Sequence, residues 1–519
     1  MIDIFGKKLE GLKYPRNYQA RTSKELIDCR FKALLADMGT GKTIMMLQAL
    51  QSLKTLGKLK GVLLIAPKDV CDLVWPVELK QEWNHIIDLN YVILRGQYRD
   101  LELQRDYDLY ITNREQLKWL YSKLWNVPKK DWPFDILLID ESSIFKNPKM
   151  SGGKTACTWF GYIKKLIPFF NRRYIMTGTP GSKGYLDLWS QLHLVHPDII
   201  GMSFSAFRSY YFERTIRGKK ESVTKDGKPC YSKKQIMSAT YQLREQLRGE
   251  LEKKIAPYVI RLAAKDYIEM PEPIINDVYC QAPKSFYVYY KEMERKFIAE
   301  IDGDTVTAAN KLVSFIKCQQ FVGGAVYQDE TIETYEDIWK LERKAAAERP
   351  IIKLNEIKLK KLEQILSDNP DERFLIAYTF KHEKERIAKM IQDKIGDDLR
   401  FIGSGMTRAE KIQSQDDWNS GKVRLVLMQS SSTKYGLNLQ KLGGSILWYA
   451  QTWSPDTYNQ LNARILRQNV PGIVRIHRLL IEDTIDEMML HILQEGKATE
   501  DSVLNAMRKY YNTKLKIAA

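Results

Sequence analysis

The chain has 519 residues, 44% hydrophobic and 28% charged, a globular balance that excludes wholesale disorder. At roughly 150 residues per domain it has room for about three domains and at least two independent cores. Its 81 Lys and Arg against 64 Asp and Glu leave a net charge of +17, which points to a polyanionic partner, nucleic acid first and an anionic membrane surface second.

The stretch Met1–Lys8 has no basic segment followed by an apolar core, so no signal peptide is expected. No apolar run approaches the roughly 18 to 20 residues that span a bilayer, so no membrane partner is expected either. Cys29, Cys71, Cys157, Cys230, Cys280 and Cys318 lie far apart with no C-x-x-C pair. That spacing argues against a zinc site and a disulfide framework, and for reduced thiols in a cytosolic compartment.

In chain order, Gly61–Ala66, Asp108–Thr112, Asp135–Asp140 and Tyr174–Thr177 read as buried strands. They are short, apolar and unalternating, as a parallel sheet covered on both faces requires. Helical patterns separate them, so residues 1–196 are expected to form an α/β doubly wound domain. Residues 197–349 change texture to long polar helical patterns, Lys233–Lys254 and Lys284–Glu300, and read as a helical insertion and linker. Alternation returns with Phe374–Tyr378, Val423–Met428 and Ser445–Tyr449, so residues 350–482 read as a second α/β domain and 483–519 as a helical brace.

The run Ala36-Asp37-Met38-Gly39-Thr40-Gly41-Lys42-Thr43 matches a phosphate-binding Walker A loop, with Ala36 at the usual first glycine. Gly39 and Gly41 let the backbone around Thr40 turn N–H groups toward a phosphate, and a helix opening near Lys42 aims its positive end at the same anion. Lys42 can reach the β- and γ-phosphates, and Thr43 can ligate Mg²⁺. Ile136–Glu141 is an apolar strand ending in two carboxylates, a Walker B arrangement. Asp140 is suited to the Mg²⁺ shell and Glu141 to activating the attacking water. Thr177-Gly178-Thr179-Pro180 ends the next strand. Far downstream, Arg464 and Arg467 are three apart and are expected to share a helix face, from which they could stabilise charge on the γ-phosphate.

These elements, in this order, resemble the superfamily-two helicases and translocases, and the Swi/Snf-like branch fits best. Arg16-Asn17-Tyr18-Gln19 resembles its nucleotide-pocket entry. Leu64–Lys68 with Trp75 and Glu78, Tyr107–Glu115, and Phe145-Lys146-Asn147 resemble its next motifs. Arg261, Lys265, Asp266 and Pro271 resemble the segment before the second lobe. Gly436–Gln440 resembles motif V, and Gln460 with Arg464 and Arg467 resembles motif VI.

The resemblance implies two RecA-like lobes with ATP between them, DNA across both, and Mg²⁺ as the metal. It places Arg16, Gln19 and Gln460 by the nucleotide, and Lys68, Thr112 and Gly436 by the nucleic-acid backbone. The basic stretches Glu213–Lys234 and Lys340–Lys361 are secondary candidates for that contact. The chain departs from the branch at Ser142-Ser143, where Ala-His or Gly-His is usual, at Ala36, in a short insertion, and at Arg467-Gln468-Asn469-Val470. The compact build resembles bacterial or viral members. The expected activity is a DNA-dependent ATPase that moves along duplex DNA as a monomer, in the cytoplasm of a bacterial or virus-infected cell, with a nuclear setting left open. A strand-separating or branch-migrating helicase, an RNA-dependent ATPase and a non-catalytic ATP-gated assembly factor are the rival readings.

Overall fold

A computed structural model describes residues 14–146, 159–178, 184–215, 222–223, 229–230, 240–268, 272–302, 308–327, 351–435, 437–468 and 470–495. The chain divides into two compact units, Met1–Glu269 and Met270–Ala519.

The first unit is built on β1 (Phe31–Ala36), β2 (Val62–Ile65), β3 (Tyr91–Ile93), β4 (Leu109–Thr112), β5 (Ile136–Asp140), β6 (Arg172–Thr177) and β7 (Val259–Leu262), in the sheet order β7-β1-β6-β5-β2-β4-β3. Every pairing is parallel. Successive side chains point to opposite faces, and both faces are covered. Leu63, Leu137 and Ile139 join one core with α3 (Tyr185–Val195), while Leu64, Ile136 and Leu138 join another with α2 (Lys42–Thr55). The strands are therefore largely apolar, with Lys32 in β1 and Arg172 and Arg173 in β6 at their starting ends. α1 (Asn17–Asp28) lies along α2, where Ser23 Oγ donates to the Met45 carbonyl at 2.9 Å.

The second unit is built on β8 (Ile274–Tyr279), β9 (Phe374–Tyr378), β10 (Leu399–Ile402), β11 (Leu425–Gln429), β12 (Ser445–Trp448) and β13 (Arg475–Leu480), in the order β8-β13-β12-β9-β11-β10, again wholly parallel. Its interior holds a buried ion pair, Lys358 to Asp486 at 2.8 Å. Among the described residues no helix is long and apolar enough to cross a membrane.

The stretch expected to be a helical insertion supplies a strand to each sheet. β7 pairs with β1, and β8 pairs with β13. Both are edge strands with polar residues among the apolar ones, Arg261 in β7 and Asn276 and Asp277 in β8, so neither shows the unbroken apolar run of a central strand. The expected helix from Lys233 is, where described, a strand at Thr240–Leu243 followed by a helix at Glu245–Ile255. The expected helix from Lys284 is present as Lys284–Asp302. Most of the two basic stretches, together with Gly436, Thr179 and Pro180, lies outside the described residues.

Candidate active site

β1, β6 and β5 are neighbours in the sheet, so the turns that follow them meet at one edge. This is where open parallel sheets place their ligands. β1 runs into the loop Asp37–Gly41, and α2 begins at Lys42. Gly39 and Gly41 have φ of 80° and 81°, the left-handed region that glycine enters at little cost. The Thr40 side chain is buried, and its Oγ1 donates to the Asp37 carbonyl at 2.7 Å. Thr43 lies in the first turn of α2, where the helix N-terminus favours an anion. Lys42 Nζ donates to the Ala36 carbonyl at 2.8 Å and more weakly to that of Asp37 at 3.3 Å, so the amine lies across the loop.

The loop is braced from α1. Gln19 Nε2 and Tyr18 OH both donate to the Thr40 carbonyl, at 2.9 and 2.8 Å. Gln19 Oε1 accepts the Arg16 backbone N–H at 2.8 Å. Gln19 and Arg16 thus sit beside the phosphate loop, with Gln19 spending both ends of its amide on that brace. Tyr18 stacks on Tyr267, with ring centroids 4.7 Å apart. That pairing has no sequence signal, because the two rings are far apart in the chain.

Asp140 ends β5 and is buried. Its Oδ1 accepts the Glu141 N–H at 2.9 Å, and its Oδ2 accepts the indole N–H of buried Trp75 at 3.0 Å. Burial, and then the charge of Glu141, push the Asp140 carboxyl up to about 6, while Trp75 and Lys42 act in the opposite direction. Glu141 has φ 52° and ψ 56°, a left-handed conformation that is uncommon outside glycine. Its Oε2 accepts from Thr177 Oγ1 at 3.3 Å. A Cβ added at Gly178 would lie 3.4 Å from Lys42 Nζ, so the turn after β6 passes beside the loop lysine. Lys42, Asp140, Glu141 and Thr177 therefore form one cluster within the first unit.

A SNF2-related domain matches residues 18–328, and a Helicase conserved C-terminal domain matches residues 357–469. The chain belongs to the SNF2-related family. This SNF2-family chain is a DNA-dependent ATPase of helicase superfamily two. It is similar to putative protein p41 of Acyrthosiphon pisum secondary endosymbiont phage 1, at 27% identity over 95% of this chain and 99% of the phage protein. It is also similar to the DNA repair and recombination protein RAD54B of Gallus gallus, at 22% identity over 88% of this chain and 50% of that protein. The SNF2 chain thus spans nearly all of the phage protein and half of the chicken one. A solved Sulfolobus solfataricus SWI2/SNF2 ATPase core in complex with dsDNA is similar at TM-score 0.40 and 20% identity, over 98% of this chain and 97% of that one.

The remaining expected site residues of this SNF2 chain have mixed fates. α4 (Pro455–Asn462) carries Gln460 but ends before Arg464. Arg464 and Arg467 therefore lie on the turn after the helix and do not share a helix face. The buried Arg464 donates from Nη1 to the Leu437 carbonyl at 3.2 Å, and Arg467 Nε donates to the Ala463 carbonyl at 2.6 Å. Lys68 is exposed just beyond β2. Thr112 is fully buried at the end of β4, and its backbone carbonyl accepts the Ala66 N–H at 3.1 Å, so its side chain does not reach the surface. Its place is inside the sheet, where a β-branched residue packs well.

Proposed function

We propose that the chain couples hydrolysis of Mg²⁺-ATP to movement along duplex DNA, without regard to base sequence. The observation that carries this reading is the convergence of Lys42, Asp140, Glu141 and Thr177 at the carboxyl ends of three adjacent strands. The family, the net charge of +17 and a relative named for DNA repair and recombination support DNA as the polymer. Contacts made mainly to phosphates would be sequence-independent and steeply dependent on salt.

The donor set suits a hard divalent cation. Asp140 is a buried carboxylate with one hydrogen bond on each oxygen, which leaves lone pairs on both. Asp140 and Thr43 would hold Mg²⁺, with phosphate and water oxygens completing the shell. The metal, when bound, would neutralise phosphate charge. Glu141 would orient the attacking water and accept its proton at the carboxylate held by Thr177. Gly39, Thr40 and Gly41 would present backbone N–H groups to the phosphates, with Lys42 turning from its loop carbonyls to the β- and γ-phosphates. Gln19 and Arg16 would set the loop's shape beside the base. Gln460, Arg464 and Arg467 are proposed as the second lobe's contribution, the arginines countering charge that builds on the γ-phosphate.

The test is steady-state ATPase activity at low salt with no nucleic acid, duplex, single-stranded or forked DNA, or RNA, with Lys42→Ala as control. Stimulation by duplex DNA is expected, followed by displacement of a triplex strand. Stimulation by forks or single strands alone would replace this reading with a strand-separating helicase. Stimulation by RNA alone would replace DNA as the polymer.

A further inference from the structure

Ser142-Ser143 follows the acidic pair, and the structure gives the first serine a specific partner. Ser142 Oγ donates to Gln191 Oε1 at 2.7 Å. Both residues are fully buried. Gln191 Nε2 donates in turn to the Asp187 carbonyl at 2.9 Å, within its own helix α3. The amide is therefore fixed by its helix, and its oxygen is aimed at residue 142. A buried hydroxyl with a buried acceptor has no water to fall back on, so this contact holds its geometry more firmly than a surface one would.

The position matters because of what precedes it. Glu141 is one of two non-glycine residues with positive φ among the described residues, and Ser142 is its immediate successor. Such a conformation persists when its surroundings over-determine it. On the N-terminal side, Asp140 Oδ1 accepts the Glu141 N–H. At the carboxylate, Thr177 Oγ1 donates to Oε2. On the C-terminal side, the anchor is Ser142 to Gln191. α3 follows the Thr177–Gly178 turn in the chain, so the same helix that the turn leads into also grips the residue after Glu141.

We propose that Ser142 and Gln191 are positioning residues for the general base, and that this hydrogen bond ties the carboxylate pair to α3. The proposal rests on the reading of Glu141 as the base. It predicts that the contact acts on the chemical step and not on nucleotide binding, because Ser142 directly follows the base, whereas the phosphate loop is braced from α1.

The test uses the full chain with Ser142→Ala, Gln191→Met and their combination, measuring kcat and KM for ATP with saturating DNA. A base displaced by a fraction of an ångström to an ångström loses roughly ten- to a hundredfold in rate. The expected result is a kcat loss of that size in each single variant, with KM within about twofold of wild type and no further loss in the combination. If a single variant fails to fold because its partner is left buried and unpaired, Ser142→Ala with Gln191→Leu carries the test, since it removes both members of the pair, and its kcat is still expected to fall. Near-wild-type kcat in a folded Ser142→Ala variant would overturn the proposal, as would losses that multiply in the combination. Glu141→Gln is run alongside. Turnover in that variant would remove the base assignment itself, whereas its inactivity beside an active Ser142→Ala would remove only the positioning role.

Discussion

The indole N–H of Trp75 donates to Asp140 Oδ2 at 3.0 Å, joining the helical segment that follows β2 to the end of β5 in a buried contact. The bond fixes which way the carboxylate plane faces, and it favours the ionised form against the cost of burial. Outer partners of metal-holding carboxylates commonly change metal affinity or activity by about 10- to 100-fold when removed. Trp75→Phe keeps the aromatic packing and deletes the donor. It is expected to raise the Mg²⁺ concentration for half-maximal ATPase by about tenfold, and to weaken Mn²⁺ binding seen by electron paramagnetic resonance with a non-hydrolysable ATP analogue. An unchanged metal requirement would leave Trp75 a packing residue.

Lys42→Ala and Glu141→Gln are each expected to nearly abolish turnover while the far-ultraviolet circular dichroism stays native. The two should separate in binding. Lys42→Ala loses affinity for a fluorescent ATP analogue, and Glu141→Gln keeps it. Rapid hydrolysis by folded Glu141→Gln would show that another group handles the water's proton.

Gly41 sits at φ 81°, and a Cβ there would collide with the Gln19 side-chain amide. Gly41→Ala is therefore doubly penalised, by the left-handed backbone at about 1–2 kcal/mol and by loss of the Gln19 brace on the Thr40 carbonyl. Lower nucleotide affinity and a lower Tm are expected together. Gln19→Ala should reproduce the affinity loss with a smaller effect on Tm.

Lys68 is exposed beside the end of β2. If it pairs with a DNA phosphate, Lys68→Ala should reduce the slope of log K against log salt by roughly 1, with similar weakening on unrelated sequences. Thr112→Ser provides the contrast. Its buried side chain predicts a stability change with no change in that slope.

Glu383 is wholly buried in the second unit and accepts the Thr379 and Phe380 N–H groups at 2.8 and 3.0 Å, both at Oε2. Burial outweighs those bonds and pushes its carboxyl up from 4.5 to about 7. Between those two values the unfolded chain has released this proton and the folded one has kept it. Its stabilising contribution is therefore full below pH 4.5 and is lost as the pH rises toward about 7. Glu383→Gln should flatten this part of the Tm-against-pH curve, so the difference between variant and wild type should change across that window and hold steady above it.

The phosphate loop and the paired carboxylates were legible in the sequence because their chemistry demands a short spacing of special residues after unbroken apolar strands. Lys42, Asp140 and Glu141 meet through a strand order, β1-β6-β5, that any doubly wound sheet brings together. Trp75 stood out only by its place in a motif resemblance, with no role attached, and Tyr267 and Gln191 carry no local mark. Each acts across a long stretch of chain, and a buried glutamine reads as ordinary core. Arg464 and Arg467 misled because their spacing of three suits a helix. The helix stops at Asn462, whose Oδ1 accepts the Trp448 indole N–H at 3.0 Å, and the arginines follow on a turn. The edge strands β7 and β8 escaped notice because Arg261, Asn276 and Asp277 interrupt their short apolar runs.

β7 also ties the phosphate loop to the end of the first unit. The Asp37 N–H donates to the Leu262 carbonyl, and the Ala264 N–H donates back to Asp37 Oδ2, each at 3.0 Å. The polypeptide on its way out of the first unit is thus stitched to the first residue of the phosphate loop. A strain of a few tenths of an ångström at Asp37 would be felt at Ala264 with almost no slack to absorb it. Loop and exit strand are held as one piece, a splice in which neither end can slip without the other.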